Sequence, residues 1–134
     1  MARSLKTGRS FGFTLLEMMI VMVVIGILLS IALPIYNQAL VRSREAVLRN
    51  DLFELRKLIS QYTLDKQKAP QSLDDLVSGG YIKVVPKDPM TNEANWEVEQ
   101  EDVLLSVDQQ DPGISGVHSA SSAISSEGTA YSSW

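Results

Sequence analysis

Gly12-Phe-Thr-Leu-Leu-Glu17-Met-Met-Ile-Val-Met-Val-Val-Ile-Gly26-Ile-Leu-Leu-Ser-Ile-Ala-Leu-Pro34-Ile-Tyr36 is an apolar stretch with one carboxylate near its start. No charged side chain stands between Met18 and Val41. A helix drawn from these residues can cross a hydrocarbon layer of about 30 Å with its ~20 apolar residues. Glu17 is the anomaly, because a carboxylate at the edge of such a run loses hydration and is retained only where something compensates it.

The same residues resemble the amino-terminal signature of type IV pilins and of the pseudopilins of type II secretion systems. In that family a short basic leader ends in Gly and is removed by a prepilin peptidase on the cytoplasmic side. The new first residue, usually Phe, is N-methylated, and a Glu stands at its fifth position. Gly12, Phe13 and Glu17 match these positions, with Thr14, Leu15 and Leu16 between them. The resemblance implies cleavage between Gly12 and Phe13 and methylation of Phe13. It also implies that Glu17 of one subunit meets the cationic amine of Phe13 on another during assembly.

Two plainer readings cover the same residues. Thr14-Leu-Leu-Glu17 fits a capping box, in which hydroxyl and carboxylate satisfy free N–H groups of the first turn. A conventional secretory signal would place its cleavage after Ser30-x-Ala32, so that the mature chain began near Leu33.

The 134 residues allow one domain and little more. They divide into a basic leader (1–12), a membrane half of a long helix (13–36), an amphipathic half (37–68) and a small head (69–134). The expected fold class is α+β and pilin-like: the long helix packed against a small antiparallel sheet. Helical character from Phe13 or Thr14 to Lys68 predicts a rod of roughly 80 Å. Gly26 and Pro34 lie inside it, and Pro34 lacks the N–H that would bond the carbonyl four residues back, which predicts a bend or local melting between the two.

Val41, Leu48, Leu52, Leu55, Ile59 and Tyr62 recur at spacings of seven, four, three, four and three residues and form the stripe expected to bury the head. Glu45 with Arg49, and the row Arg42, Arg49, Arg56, are read as solvated or subunit-facing surface. Ala69-Pro70 ends the rod. Ser72-Leu-Asp-Asp75 then resembles a second capping box, opening a short helix with Leu73, Leu76 and Val77 inward and Gly79-Gly80 closing it. Asn95–Glu99 and Val103–Val107 are strand candidates around a turn at 100–102, with Trp96, Val98, Leu104 and Leu105 expected inside.

Gly80-Tyr-Ile-Lys-Val-Val-Pro86-Lys-Asp88-Pro89-Met-Thr-Asn92 is similar to the connecting loop of the major pseudopilin, where Gly-Tyr-Leu precedes Pro, Asp-Pro and a turn with Asn. Its prolines fix φ and its Asp can bond nearby backbone, so a rigid loop is expected. Residues from Asp111 to Trp134 are rich in Ser and Gly, and composition reads them as a flexible loop. They also resemble the family's carboxyl-terminal segment, which often binds calcium. Glu127 is the one charged residue there from Ser115 onward, so a Ca2+ site would have to combine it with hydroxyls and carbonyls.

The net charge of −4 hides an asymmetry. Arg3, Lys6 and Arg9 hold the amino terminus cytoplasmic by the positive-inside rule and send the rest outward. Residues 42–68 carry seven Lys or Arg against four acids, and residues 88–134 carry nine acids and no Lys or Arg. An acidic head facing the basic helix of another copy is the arrangement this suggests. Cysteine is absent; many adhesion and motility pilins close a disulfide, and secretion pseudopilins generally do not. One His, His118, with Asp108 or Asp111 and the neighbouring serines makes no local catalytic motif, so an enzyme is not expected.

The resemblance therefore implies a structural subunit: a major-pseudopilin-like protein in the bacterial inner membrane, single-pass, with a periplasmic head, polymerising into a pseudopilus for type II protein secretion. Its implied partners are further copies of itself in a helical filament, the prepilin peptidase, the inner-membrane assembly platform, minor pseudopilins, and lipid before assembly. No nucleic acid is expected. The alternatives are a type IV pilin or minor pilin for adhesion, motility or DNA uptake, and a membrane-tethered periplasmic binding module.

Overall fold

The computed structural model describes residues 12–100 and 112–134. Helix α1 spans Leu15–Lys66, α2 spans Asp74–Ser78, strand β1 spans Glu97–Gln100, strand β2 spans Ile114–His118, and a 3-10 turn covers Tyr131–Ser133. This is an α+β fold with a long amino-terminal helix and a two-stranded antiparallel sheet. Two compact units part between Gln38 and Ala39.

In the first unit α1 is apolar on every face, and its large side chains from Leu15 to Tyr36 are all exposed. A window of 18 residues there is long and apolar enough to cross a membrane, with none of it buried. Such a surface is stable in lipid rather than in water. The helix continues through Gly26 and Pro34 without interruption, where the sequence predicts a bend or melting. Ser30 Oγ donates to the Gly26 carbonyl at 2.8 Å, a local bond of the kind that accompanies proline in membrane helices.

In the second unit the apolar stripe of α1 buries Leu48, Leu52, Leu55 and Ile59 against Leu76, Trp96, Ile114, Val117 and Tyr131. Tyr62 is partly buried against the same core, whereas Val41 is exposed although it lies on the stripe. Angular position selects the face, and coverage stops where the head stops. α1 ends at Lys66 rather than Lys68 because Gln67 adopts φ +56°, a left-handed stop, with its Nε2 donating to the Leu64 carbonyl at 2.7 Å.

The Ser72–Asp75 box is formed by half. Asp75 Oδ2 accepts from the N–H groups of Gln71 (2.7 Å) and Ser72 (3.2 Å), and α2 starts at Asp74 with no side-chain cap from Leu73. In the following loop Asp88 is fully buried; its Oδ1 accepts from the Met90 N–H at 2.8 Å, and its Oδ2 accepts from Ser119 Oγ at 2.5 Å. That pair fastens the connecting loop to the residue after β2.

β1 begins at Glu97, so the buried Trp96 lies just outside it, with its indole N–H donating to the Pro86 carbonyl at 2.7 Å. Val98, expected inside, is 43% exposed, although it pairs with the buried Val117. The second strand candidate, with Leu104 and Leu105, lies outside the described residues. The partner of β1 is Ile114–His118, in the segment that composition reads as a flexible loop. Ile114 and Val117 supply apolar side chains, and the Ile114 N–H donates to the Pro70 carbonyl at 2.8 Å, so the segment has a core and an anchor.

Gly113 sits at that anchor. A Cβ there would stand 2.4 Å from Ala69 Cβ and 2.9 Å from the Ala69 carbonyl carbon and oxygen, and both residues are buried. Gly113→Ala is therefore expected to destabilise the second unit by about 2 kcal/mol through backbone displacement, measured as a lower denaturation midpoint of the purified chain.

Candidate functional site

The start of α1 carries the residues singled out by sequence. Thr14 caps it: its Oγ1 accepts from the Glu17 N–H at 3.1 Å, and its carbonyl accepts the Met18 N–H at 3.1 Å. The reciprocal half of the capping box is absent, since the Glu17 carboxylate bonds to no described residue. Capping thus uses the Glu17 backbone and leaves its carboxylate without a partner among the described residues. Phe13 precedes the helix and is exposed, as is Gly12. Residues 1–11 of the expected leader (1–12) lie outside the described residues.

A second constellation lies on α1 in the other unit, where Glu45, Arg49 and Arg56 follow each other at spacings of four and seven residues along one side. Glu45 is 6% exposed, contrary to the solvated position its charge suggests. Its Oε1 accepts from the Ser126 N–H (2.7 Å) and the Tyr131 hydroxyl (2.8 Å), and its Oε2 accepts from Ser126 Oγ (2.5 Å). Burial alone would raise the Glu45 carboxyl. The bonds from Ser126 and Tyr131, with the charge of Arg49, outweigh it and hold the group below its ordinary value. Burial, and then the carboxylate of Glu45, push the Tyr131 hydroxyl up.

Arg49 and Arg56 hold the same carboxyl-terminal segment. Arg49 Nη2 lies 2.7 Å from Glu127 Oε2, and its guanidinium stacks 4.3 Å over the Trp134 ring. Arg56 Nη2 donates to the main-chain oxygens of Val117 (2.8 Å) and Trp134 (2.6 Å). The Trp134 indole N–H donates to Thr129 Oγ1 at 2.8 Å, and its ring meets Tyr131 edge-on at 5.2 Å. An isolated bridge between Ile124 and Ala130 closes the intervening turn, where Gly128 has φ +85°. Two of the three arginines read as solvated or subunit-facing are thus engaged within the chain. Arg42 is exposed and makes no ion pair with a described residue.

Glu127, the residue named for a mixed Ca2+ site, has its Oε2 paired with Arg49, and among the described residues no group of three His, Cys, Asp or Glu side chains stands together. His118 Nδ1 lies 2.6 Å from the Trp134 main-chain oxygen, and its Nε2 lies 3.5 Å from Glu99 Oε2. These contacts tie β2 to Trp134. Asp108 and Asp111 lie outside the described residues.

Residues 8–33 match the family described as the prokaryotic N-terminal methylation motif. The chain is 37% identical over 102 residues to the type II secretion system core protein G of Aeromonas hydrophila, covering 63% of this chain and 70% of that protein. It is 36% identical over 108 residues to the protein of that name from Vibrio cholerae, covering 68% and 73%. It is also 40% identical over 60 residues to the type IV major fimbrial protein FimA of Dichelobacter nodosus, covering 45% of this chain and 38% of that one. No solved structure gives a significant match. The methylation motif, the long exposed apolar helix, the small sheet and the extended similarity agree, and the chain belongs to the type IV pilin-like superfamily, in the family of the type II secretion system core protein G, the major pseudopilins.

Proposed function

We propose that this protein is the major subunit of a periplasmic pseudopilus that serves type II protein secretion. Residues 1–12 form the leader, the prepilin peptidase cuts between Gly12 and Phe13, and the new Phe13 amine is methylated. Residues 13–36 hold the subunit in the inner membrane, amino terminus cytoplasmic and head periplasmic, until the assembly platform and minor pseudopilins draw it into a fibre. The observation that carries this reading is the Glu17 carboxylate, which has no partner among the described residues of its own chain at the start of an apolar helix. A charge at that boundary is stable when an opposite charge reaches it, and the free amine of another copy is the group the cleavage creates. The relatives bear names of secretion and fimbrial proteins rather than of enzymes, and lipid and further copies of itself are the partners the exposed helix suits.

The secretion role is favoured over an adhesion or motility pilus by extent. The matches to core protein G cover 70% and 73% of those proteins, whereas the match to FimA covers 38% of it. Mass spectrometry of the membrane-extracted protein is expected to find a chain beginning at N-methylated Phe13. A chain retaining Met1 would instead mark a tethered binding module, and one beginning near Leu33 a conventional secretory protein.

A further inference from the structure

Arg42 and Arg44 are the first charged residues after the apolar run, and both are exposed. Neither makes an ion pair or a hydrogen bond with a described residue. The two carboxylates that line an open cleft with Arg42 are engaged elsewhere: Glu45 accepts from Ser126 and Tyr131, and Glu127 is paired with Arg49. Membrane orientation does not account for the two arginines, because the positive-inside rule gathers Lys and Arg on the cytoplasmic flank and these stand on the opposite one.

Drawn as an α-helix, the uncharged run from Met18 to Val41 is about 36 Å long. That exceeds a hydrocarbon core of about 30 Å and falls short of the roughly 40–45 Å that include both headgroup layers. With Glu17 at one edge of the hydrocarbon, Arg42 and Arg44 therefore lie among the headgroups of the far side. The Cα–Cβ bonds of a helix tilt toward its amino terminus, so both side chains reach back toward the lipid, and long cationic side chains keep their heads at such a boundary. Residues two apart on a helix point about 200° apart round its axis. A single protein neighbour meets one of these arginines, whereas a headgroup layer surrounds the helix and meets both.

We infer that Arg42 and Arg44 bind the phosphates of anionic phospholipids at the outer face of the membrane that holds the subunit, a site that rests on the membrane insertion proposed above and not on the fibre. A guanidinium fork matches two phosphate oxygens at once. Two cations without a carboxylate partner favour a lipid of net negative charge over a zwitterionic one.

The test is the lipid that the full-length chain retains when it is released from micelles holding equal amounts of phosphatidylglycerol and phosphatidylcholine, read by native mass spectrometry. The wild-type chain is expected to retain phosphatidylglycerol in preference, and Arg42→Gln combined with Arg44→Gln to lower that preference about tenfold or more. Lys83→Gln combined with Lys87→Gln removes the same charge from exposed residues of the head and is expected to keep it. All four positions are exposed, so unchanged denaturation midpoints show that both variants fold. No preference in the wild-type chain, an undiminished preference in the arginine variant, or an equal loss in the lysine variant would overturn the inference and leave the insertion reading standing. Loss of fibres from the arginine variant with its lipid preference intact would mean that a second copy's carboxylates take the arginines, which also overturns it. A wild-type chain that alkaline carbonate strips from membranes removes the insertion reading and this site with it.

Discussion

Glu17→Ala is expected to abolish fibres while the monomer remains inserted, processed and folded. The helix start survives because Thr14 Oγ1 accepts from the Glu17 N–H, a backbone group that alanine retains. The head is equally indifferent, since its core and clamps involve residues from Glu45 onward. What alanine removes is the carboxylate that borders the uncharged run from Met18 to Val41, and with it the group that, in the proposed assembly, neutralises another copy's Phe13 amine in a low-dielectric setting. Leaving that amine unpaired costs about 3 kcal/mol or more per joint, which at about 1.4 kcal/mol per factor of ten lowers the association constant at least a hundredfold. The measurement is sheared fibre against membrane-bound monomer, with amino-terminal mass spectrometry to show that cleavage after Gly12 proceeds. Glu17→Gln, which keeps shape and hydrogen-bonding atoms, separates charge from packing: loss of fibres in both variants assigns the effect to charge. Abundant fibres from Glu17→Ala would remove the basis of the proposed function.

The features whose cause is local were legible in the sequence; those whose partners are distant in the same chain were not. Glu17 stands out because a charge in an apolar run violates the local pattern. The stripe of Leu48, Leu52, Leu55 and Ile59 shows in the helical period. Glu45 lies on that same stripe, three residues before Leu48, and the position was a usable signal. The rule that charges face water outweighed it, because the compensating Ser126 and Tyr131 are 81 and 86 residues away. β2 was hidden for a related reason. Ile114-Ser-Gly-Val-His118 is short and rich in loop residues, and only pairing with β1 and the Pro70 anchor make it a strand. Val41 shows the opposite failure, in which the period is correct and the head does not reach.

Glu45 also carries the second large effect, this time on stability. Glu45→Ala is expected to cost the head about 3 kcal/mol, since it strands the buried Tyr131 hydroxyl and releases Ser126, and hydrogen bonds to a charged group are worth about 1.5–3 kcal/mol each. The carboxyl-terminal turn should loosen with it, leaving Trp134 held by Arg49, Arg56, His118 and Thr129. The pH dependence has a definite sign. The folded carboxyl titrates below its ordinary value of 4.5, so the unfolded chain binds a proton first as pH falls. Glu45 therefore contributes its full stabilisation above the unfolded pKa and loses it as pH drops through the folded one. Denaturant unfolding of the detergent-solubilised chain, followed by the fluorescence of Trp96 and Trp134, is expected to show wild-type stability falling below about pH 4.5. Glu45→Gln, less stable at pH 7 because the amide is a weaker acceptor, should be nearly flat across the same window, so that the two curves converge in acid. Parallel curves would mean that Glu45 contributes no charge to holding the segment, and that Ser126 and Tyr131 are placed by packing alone.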